Sequence, residues 1–283
     1  IEALEEYLKK DTKKEIKGVL IIHTETATGI TNDLPAIRSA IDSADHPGLL
    51  IVDTVAAAGT VDYRMDEWGI DVTVGASQKG LMMPPGIGIV AAGEKALSAT
   101  KESTMPRLYW DWKTRLEAEH YRKFCGTAPQ LMVFGMREAL NMLFEEGLEN
   151  VFERHRVLAG ATQAAVEVWG QAGTLSLNAV EPKERSNGVT TILTSEGIDA
   201  DQFRNICRDE MMVGLGGGLG DLSGKAFRVG HMGDINAPML YAALSAVEST
   251  LGYLNIKYAS GGVTAAIEYV TDVKKNEAGP FSF

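Results

Sequence analysis

Two short, unbroken apolar runs constrain this chain more than any other feature. Gly18-Val19-Leu20-Ile21-Ile22 and Leu49-Leu50-Ile51-Val52 have strand length and no polar alternation. A strand apolar on both sides is one buried on both faces, as in a mostly parallel sheet with helices above and below. Ile70 to Val74 and Ile87 to Ala91 read as further strands. Helical patterns accompany the earlier runs. Ile1 to Glu15 carries Leu4, Tyr7 and Leu8 on one face. A second helix opens at Asp33-Leu34-Pro35, with Asp33 as its cap and Ile37 and Ala40 facing inward. Alternating strands and helices of this kind predict an α/β fold.

The second half has another texture. Pro129 to Trp169 is strongly helical, with a break at Glu145-Glu146-Gly147. After Gly170 come a strand at Val189 to Leu193, a helix over Asp199 to Arg208, and short strands at Met212-Val213 and Phe227-Arg228-Val229. A helix follows from Pro238 to Leu251. The expected organisation is a large domain over 1–147, a linking helix over 148–172, and a small α+β domain over 173–283. The tract Gly214-Leu215-Gly216-Gly217-Gly218-Leu219-Gly220 lacks the Lys-Ser or Lys-Thr of a phosphate loop and reads as a flexible loop beside Arg228.

Composition narrows function by exclusion. Lys and Arg total 27 against 38 Asp and Glu, for a formal charge of -11 over 283 residues. Broad nucleic-acid binding, which rests on phosphate neutralisation, is not expected. No apolar stretch approaches bilayer-spanning length, so no membrane partner is expected. Two cysteines make no disulfide framework and favour a reduced, cytoplasmic setting. The five histidines show no zinc-ligand spacing with them, and no metal site is expected.

In parallel sheets ligands gather at the carboxyl ends of the strands. Asp53 ends the second run, His23 follows the first, and Lys79 lies just past the third in Gly75-Ala76-Ser77-Gln78-Lys79-Gly80. The neighbours of Lys79 are small or uncharged, and a lysine held in an apolar pocket becomes an amine nucleophile able to form a Schiff base. Asp53 either caps the next turn or pairs with a protonated ring nitrogen. Pyridoxal phosphate needs that pair, an amine for its aldehyde and a carboxylate for its pyridine nitrogen. Thr26, Thr28, Gly29 and Gln78 offer donors for a phosphate, although a plain Thr-rich turn explains the first three equally well. His23 either stacks on a planar ring or is a satisfied structural histidine. Arg228, between Phe227 and Val229, needs a carboxylate, from the protein or from a ligand.

These segments together resemble the class V, fold-type I pyridoxal-phosphate aminotransferases, in particular the serine–glyoxylate and alanine–glyoxylate group. The resemblance rests on His23-Thr24-Glu25-Thr26-Ala27-Thr28-Gly29, Val52-Asp53-Thr54-Val55, Gly75 to Gly80 with Pro84-Pro85-Gly86, and Gly224 to Gly233, in this order. It implies a fold-type I large domain followed by a small α+β domain. Lys79 is then the catalytic lysine that binds the cofactor aldehyde as a Schiff base, and Asp53 holds the pyridinium nitrogen. Val55 packs on the ring, Thr26 bonds the ring hydroxyl, Gln78 contacts the phosphate and Arg228 takes the substrate carboxylate. The resemblance also implies a homodimer with sites at the subunit interface, in which Thr127 reaches the partner's phosphate. Phe124 stands where the family often has a hydrogen-bonding residue.

The implied reaction moves an amino group from serine, alanine or aspartate to glyoxylate. A lyase or decarboxylase of the same class and an inactive fragment are the alternatives. The opening Ile1-Glu2-Ala3-Leu4, without an initiator Met, reads as a start inside the large domain. On that reading, a small-residue phosphate turn and a ring-stacking aromatic precede Ile1.

Overall fold

A computed structural model describes residues 1–117 and 119–276. In chain order the elements are α1 (Glu2–Lys10), β1 (Gly18–Ile22), β2 (Thr24–Glu25), β3 (Ile30–Thr31), α2 (Leu34–Ser43), β4 (Leu49–Asp53), β5 (Val72–Ala76), β6 (Gly88–Ala92), α3 (Glu94–Ala99), α4 (Trp112–Arg115), α5 (Gln130–Glu146), α6 (Leu148–Trp169), β7 (Leu175–Leu177), β8 (Val189–Thr194), α7 (Ala200–Asp209), β9 (Gly216–Gly217), β10 (Ala226–Gly230), α8 (Ala237–Tyr253) and α9 (Gly262–Asn276). They form two units. Unit 1 takes Ile1–His23, Asp33–Val55 and Tyr63–Glu145; unit 2 takes Thr24–Asn32, Ala56–Asp62 and Glu146–Phe283. The last seven residues of the expected small domain, 277–283, lie outside the described residues.

Unit 1 is built on a sheet of order β1-β4-β5-β6. Its first three strands are parallel, and β6 returns antiparallel to β5. The apolar runs therefore form the mostly parallel sheet expected of them. Helix α2 begins at the expected cap, where the Asp33 carboxylate accepts from Ala36 N at 3.0 Å. Helix α1 ends earlier than its pattern suggests because Asp11 turns the chain. Its carboxylate accepts from Glu15 N at 3.0 Å and Ile16 N at 2.8 Å, and meets His46 Nε2 at 3.1 Å. The Ile16 and Glu15 N–H groups, more than His46, hold Asp11 at a pKa of about 2.

The core of unit 1 lies on one face of the sheet. Leu8 of α1 and Leu34, Ile37 and Ile41 of α2 pack with Leu50 and Val52 of β4. Among the described residues the opposite face stays exposed, where the sequence pattern implied helices on both sides. Leu20 is 74% exposed and Val90 52%, and Ile22 and Val74 are also exposed. Register places Asp53 between Ile22 and Val74, so it shares that open face.

Unit 2 has an antiparallel sheet of order β7-β8-β10-β9. Its core joins α6, α7, α8 and α9 to that sheet, with Phe203 stacked on Phe227 at 4.6 Å between centroids. The β2–β3 hairpin is held to unit 2 by Ser186 N donating to Gly29 O at 2.9 Å and Asn178 Nδ2 donating to Thr28 O at 2.8 Å. Helix α9, which the sequence patterns above do not anticipate, begins against α6. A Cβ on Gly262 would fall 2.1 Å from Trp169 Nε1, so only glycine permits this approach. Trp169 Nε1 donates to Glu248 Oε2 at 2.9 Å, and the same oxygen accepts from Val263 N at 3.1 Å. The glycine tract also departs from expectation. It is not a free loop: Gly216 and Gly217 pair with Arg228 and Phe227 as the edge strand β9, while Met212-Val213 forms no strand.

Candidate active site

Asp53 and Lys79 both stand at the carboxyl end of the parallel part of the unit 1 sheet. Asp53 is the last residue of β4, and Lys79 comes three residues after the end of β5. The main-chain oxygen of Asp53 accepts from His23 N at 2.9 Å. Its carboxylate Oδ1 accepts from Val55 N at 2.8 Å. Thr54 locks the two strand ends together, its N and Oγ1 donating to Val74 O at 2.7 and 3.0 Å.

Ser77 fixes the lysine turn. It is fully buried, its Oγ donates to Pro84 O at 2.7 Å, and it accepts from Ile87 N at 3.2 Å. Its main chain donates to Ile87 O and accepts from Met83 N, at 3.1 and 3.0 Å. Met82 N closes the turn on Lys79 O at 2.9 Å, with Met82 at φ 60°. Sequence reasoning gave Ser77 no role; its signal is a hydroxyl set among small residues between a strand and a lysine. The Lys79 amine makes no hydrogen bond or ion pair among the described residues. Gln78 is exposed and Val55 half-buried.

His23 is 3% exposed, and its ring lies among Tyr63 at 5.7 Å and Trp68 at 6.2 Å. The ring belongs to an aromatic cluster, which favours the structural of the two readings above. Thr127 and Phe124 are exposed and line a concave region of about 620 Å³ together with Val90, Trp110, Arg115 and Lys123. Lys79 and Asp53 are not among its lining residues.

Unit 2 holds Arg228. Its Nε donates to Gly217 O at 2.7 Å and its Nη1 to Thr26 O at 2.8 Å. Thus Thr26, expected to use its hydroxyl, acts here through its carbonyl. Every other arginine described in unit 2 meets a carboxylate: Arg154 with Glu146, Arg156 with Glu153, Arg185 with Glu167, Arg204 with Asp201 and Arg208 with Asp209. Arg228 meets none. Burial first and the Arg204 charge second pull its pKa down, and Glu25 opposes them. A half-buried guanidinium whose only partners are neutral carbonyls is suited to an anionic ligand.

Two histidines of unit 2 are fully buried. His155 accepts from Gly233 N at Nε2, 3.0 Å, and its Nδ1 faces Val151 O at 2.7 Å. His231 lies between Thr190 Oγ1 and Asn187 O, both at 2.8 Å. Burial pushes each pKa down to about 4, so both rings are neutral near pH 7.

Among the described residues no group of three or more acidic, histidine or cysteine side chains is placed to hold a metal. No described helix is long and apolar enough to cross a membrane.

Residues 1–220 match the family model for aminotransferase class-V. The chain is 41% identical over 277 residues to a serine–glyoxylate aminotransferase of Methylorubrum extorquens, covering 96% of this chain and 68% of that protein. It is 39% identical over 266 residues to an L-aspartate–glyoxylate aminotransferase of Paracoccus denitrificans, covering 94% of this chain and 66% of that protein. The chain thus spans about two thirds of the length of these relatives. Among solved structures, pyridoxamine-pyruvate aminotransferase from Mesorhizobium loti superposes with a TM-score of 0.86 at 28% identity, covering 96% of this chain and 69% of that one. By the match of residues 1–220 and the identity to these relatives, the chain belongs to the class-V aminotransferase family.

Proposed function

We propose that this protein transfers the amino group of a small amino acid to glyoxylate, using pyridoxal phosphate, as a homodimer. The observation that carries the reading is the set of charges left without an ion-pair partner. Arg228 alone among the described arginines of unit 2 has no carboxylate, and the Lys79 amine is likewise uncommitted among the described residues. The relatives named above act on serine or aspartate with glyoxylate, which supports a small donor and that acceptor.

The residues of unit 1 fit the cofactor by their donor chemistry. Lys79 offers an amine for the aldehyde, Asp53 a carboxylate for the pyridine nitrogen, Val55 an apolar side for the ring and Gln78 an amide for the phosphate. When bound, the cofactor supplies an electron sink for the carbon that loses its proton. The Lys79 amine would carry that proton as general base and acid. Val55 N, bonded to Asp53 Oδ1, restrains the carboxylate so that its charge is presented in one orientation. Arg228 holds the substrate carboxylate with the N–H groups that Gly217 and Thr26 leave free. Thr127 serves the partner's phosphate in the dimer. His23 supports the site through its bond to Asp53 O. A cytoplasmic setting agrees with two cysteines that are both free thiols.

The test is glycine formation from glyoxylate with serine, alanine and aspartate offered singly in the presence of pyridoxal phosphate. At least one donor is expected to turn over. Lys79→Ala is expected to lower that rate by at least about 10³-fold, the scale of a lost acid–base group. Turnover by Lys79→Ala at the unmodified rate overturns the assignment.

A further inference from the structure

The geometry points to Gly216 as a positioning residue for the substrate carboxylate: its missing side chain lets the Arg228 arm fold across β9 and reach its carbonyl anchors. This inference rests on Arg228 being the carboxylate-binding residue proposed above.

Gly216 is paired directly with Arg228 in the β9–β10 register. A Cβ built on Gly216 would sit 3.1 Å from Arg228 Cβ and 3.3 Å from its Nε. Both distances are tighter than ordinary van der Waals contact. The Arg228 Cβ is fixed by the β10 backbone, so the first contact would ease the two strands apart by a few tenths of an ångström, and the second would push the Nε end of the side chain aside. That end is the part that bonds Gly217 O and Thr26 O. These two carbonyls take one N–H on Nε and one on Nη1, and so set the plane of the guanidinium. Nη2 makes no hydrogen bond among the described residues.

The other glycines of the tract have different reasons to be glycine. A Cβ on Gly218 would fall 1.9 Å from the main-chain Leu222 O, so its glycine serves the backbone. A Cβ on Gly217 would meet the Arg204 guanidinium at 2.8 Å, the far end of a side chain that can swing away. Gly214 would meet nothing within 4 Å. Gly216 has no positive φ, so its φ does not require glycine. Its absent side chain is spent on the close approach of Arg228 across the β9–β10 pair.

The experiment compares Gly216→Ala, Gly214→Ala, Arg228→Ala and the Gly216→Ala/Arg228→Ala pair in the cofactor-loaded protein. Misplacement by a fraction of an ångström to 1 Å costs up to about 100-fold, so Gly216→Ala is expected to raise the donor KM about 10-fold. kcat should change by less than about 2-fold, the pattern of lost uniform binding. Melting temperature should fall only slightly, with the protein fully folded at the assay temperature, and Gly214→Ala should leave KM unchanged. In the Arg228→Ala background, Gly216→Ala should add nothing, because the residue through which it acts is gone. A second readout needs no turnover: hydrogen exchange of the Arg228 Nε–H, followed by nitrogen-edited NMR, should quicken in Gly216→Ala. Unchanged KM and unchanged exchange in Gly216→Ala, with KM raised in Arg228→Ala, overturn the positioning role alone. An equal rise in both backgrounds also overturns it. Unchanged KM in Arg228→Ala overturns the carboxylate reading, and this inference with it.

Discussion

The two units bury their apolar residues in opposite ways. Unit 2 closes its core around the antiparallel sheet, with Trp169, Phe203, Phe227, Leu240 and Leu244 all below 2% exposure. Unit 1 buries Leu50 and Val52 fully yet leaves Leu20 at 74% and Val90 at 52% exposure on the other face of the same sheet. The difference teaches what an apolar strand run encodes. It states that both faces suit burial, and the elements packed on it decide which face is buried. The charges differ as well. Unit 1 carries Lys79 and Asp53 at strand ends, on turns pinned by main-chain bonds. Unit 2 carries Arg228 inside a strand, presented by its neighbour's lack of a side chain.

The sharpest way to break this comparison is the unit 2 core. Phe203→Ala removes one ring of a stacked, fully buried pair and is expected to cost about 4 kcal/mol. Hydrogen exchange should show β8 and β10 amides losing protection while β1 and β4 amides keep theirs. Equal loss in both sheets would mean that the units do not have separate cores.

Acid sharpens the contrast next. His155 and His231 are buried neutral with pKa values of about 4, below the ordinary 6.5. The unfolded chain therefore binds protons first. The stability from these two rings is complete above pH 6.5 and is lost as pH falls toward 4, on the order of 3 kcal/mol for each. In unit 1 the carboxylate of Asp11, at about 2 against an ordinary 3.8, keeps its contribution until pH falls below 3.8. Between pH 6.5 and 4, unit 2 should lose exchange protection faster than unit 1. His231→Gln should flatten that slope; an unchanged slope would remove His231 as its source.

The smallest pair of effects tests the open face itself. Leu50→Ala is expected to cost about 3 kcal/mol by urea unfolding. Leu20→Ala, one strand away, should change stability by no more than about 0.5 kcal/mol. Equal costs for the two would show the face of Leu20 to be covered.

Much of the fold was legible because its signals are local. Asp33 caps α2 since a carboxylate at that position satisfies a free N–H, whatever lies further along the chain. The break at Gly147 between α5 and α6 follows from its φ of +85°. Asp53 and Lys79 could be placed at strand ends because apolar runs mark their own ends. Ser77 was not legible as a support, because its partners Pro84 and Ile87 close on it only when the turn folds. Helix α9 escaped notice because its anchor is Gly262 against Trp169, far apart in sequence.

The sequence by itself determined the strand runs, the order of the reactive residues and the family they announce. These depend on residue type and spacing, which the covalent chain fixes. Tertiary structure alone decided the rest: which sheet face is buried, that the glycine tract pairs as an edge strand, and that Arg228 is held by the carbonyls of Gly217 and Thr26. Those facts join residues as far apart as 26 and 228, and no local pattern records a contact that the chain makes only on folding.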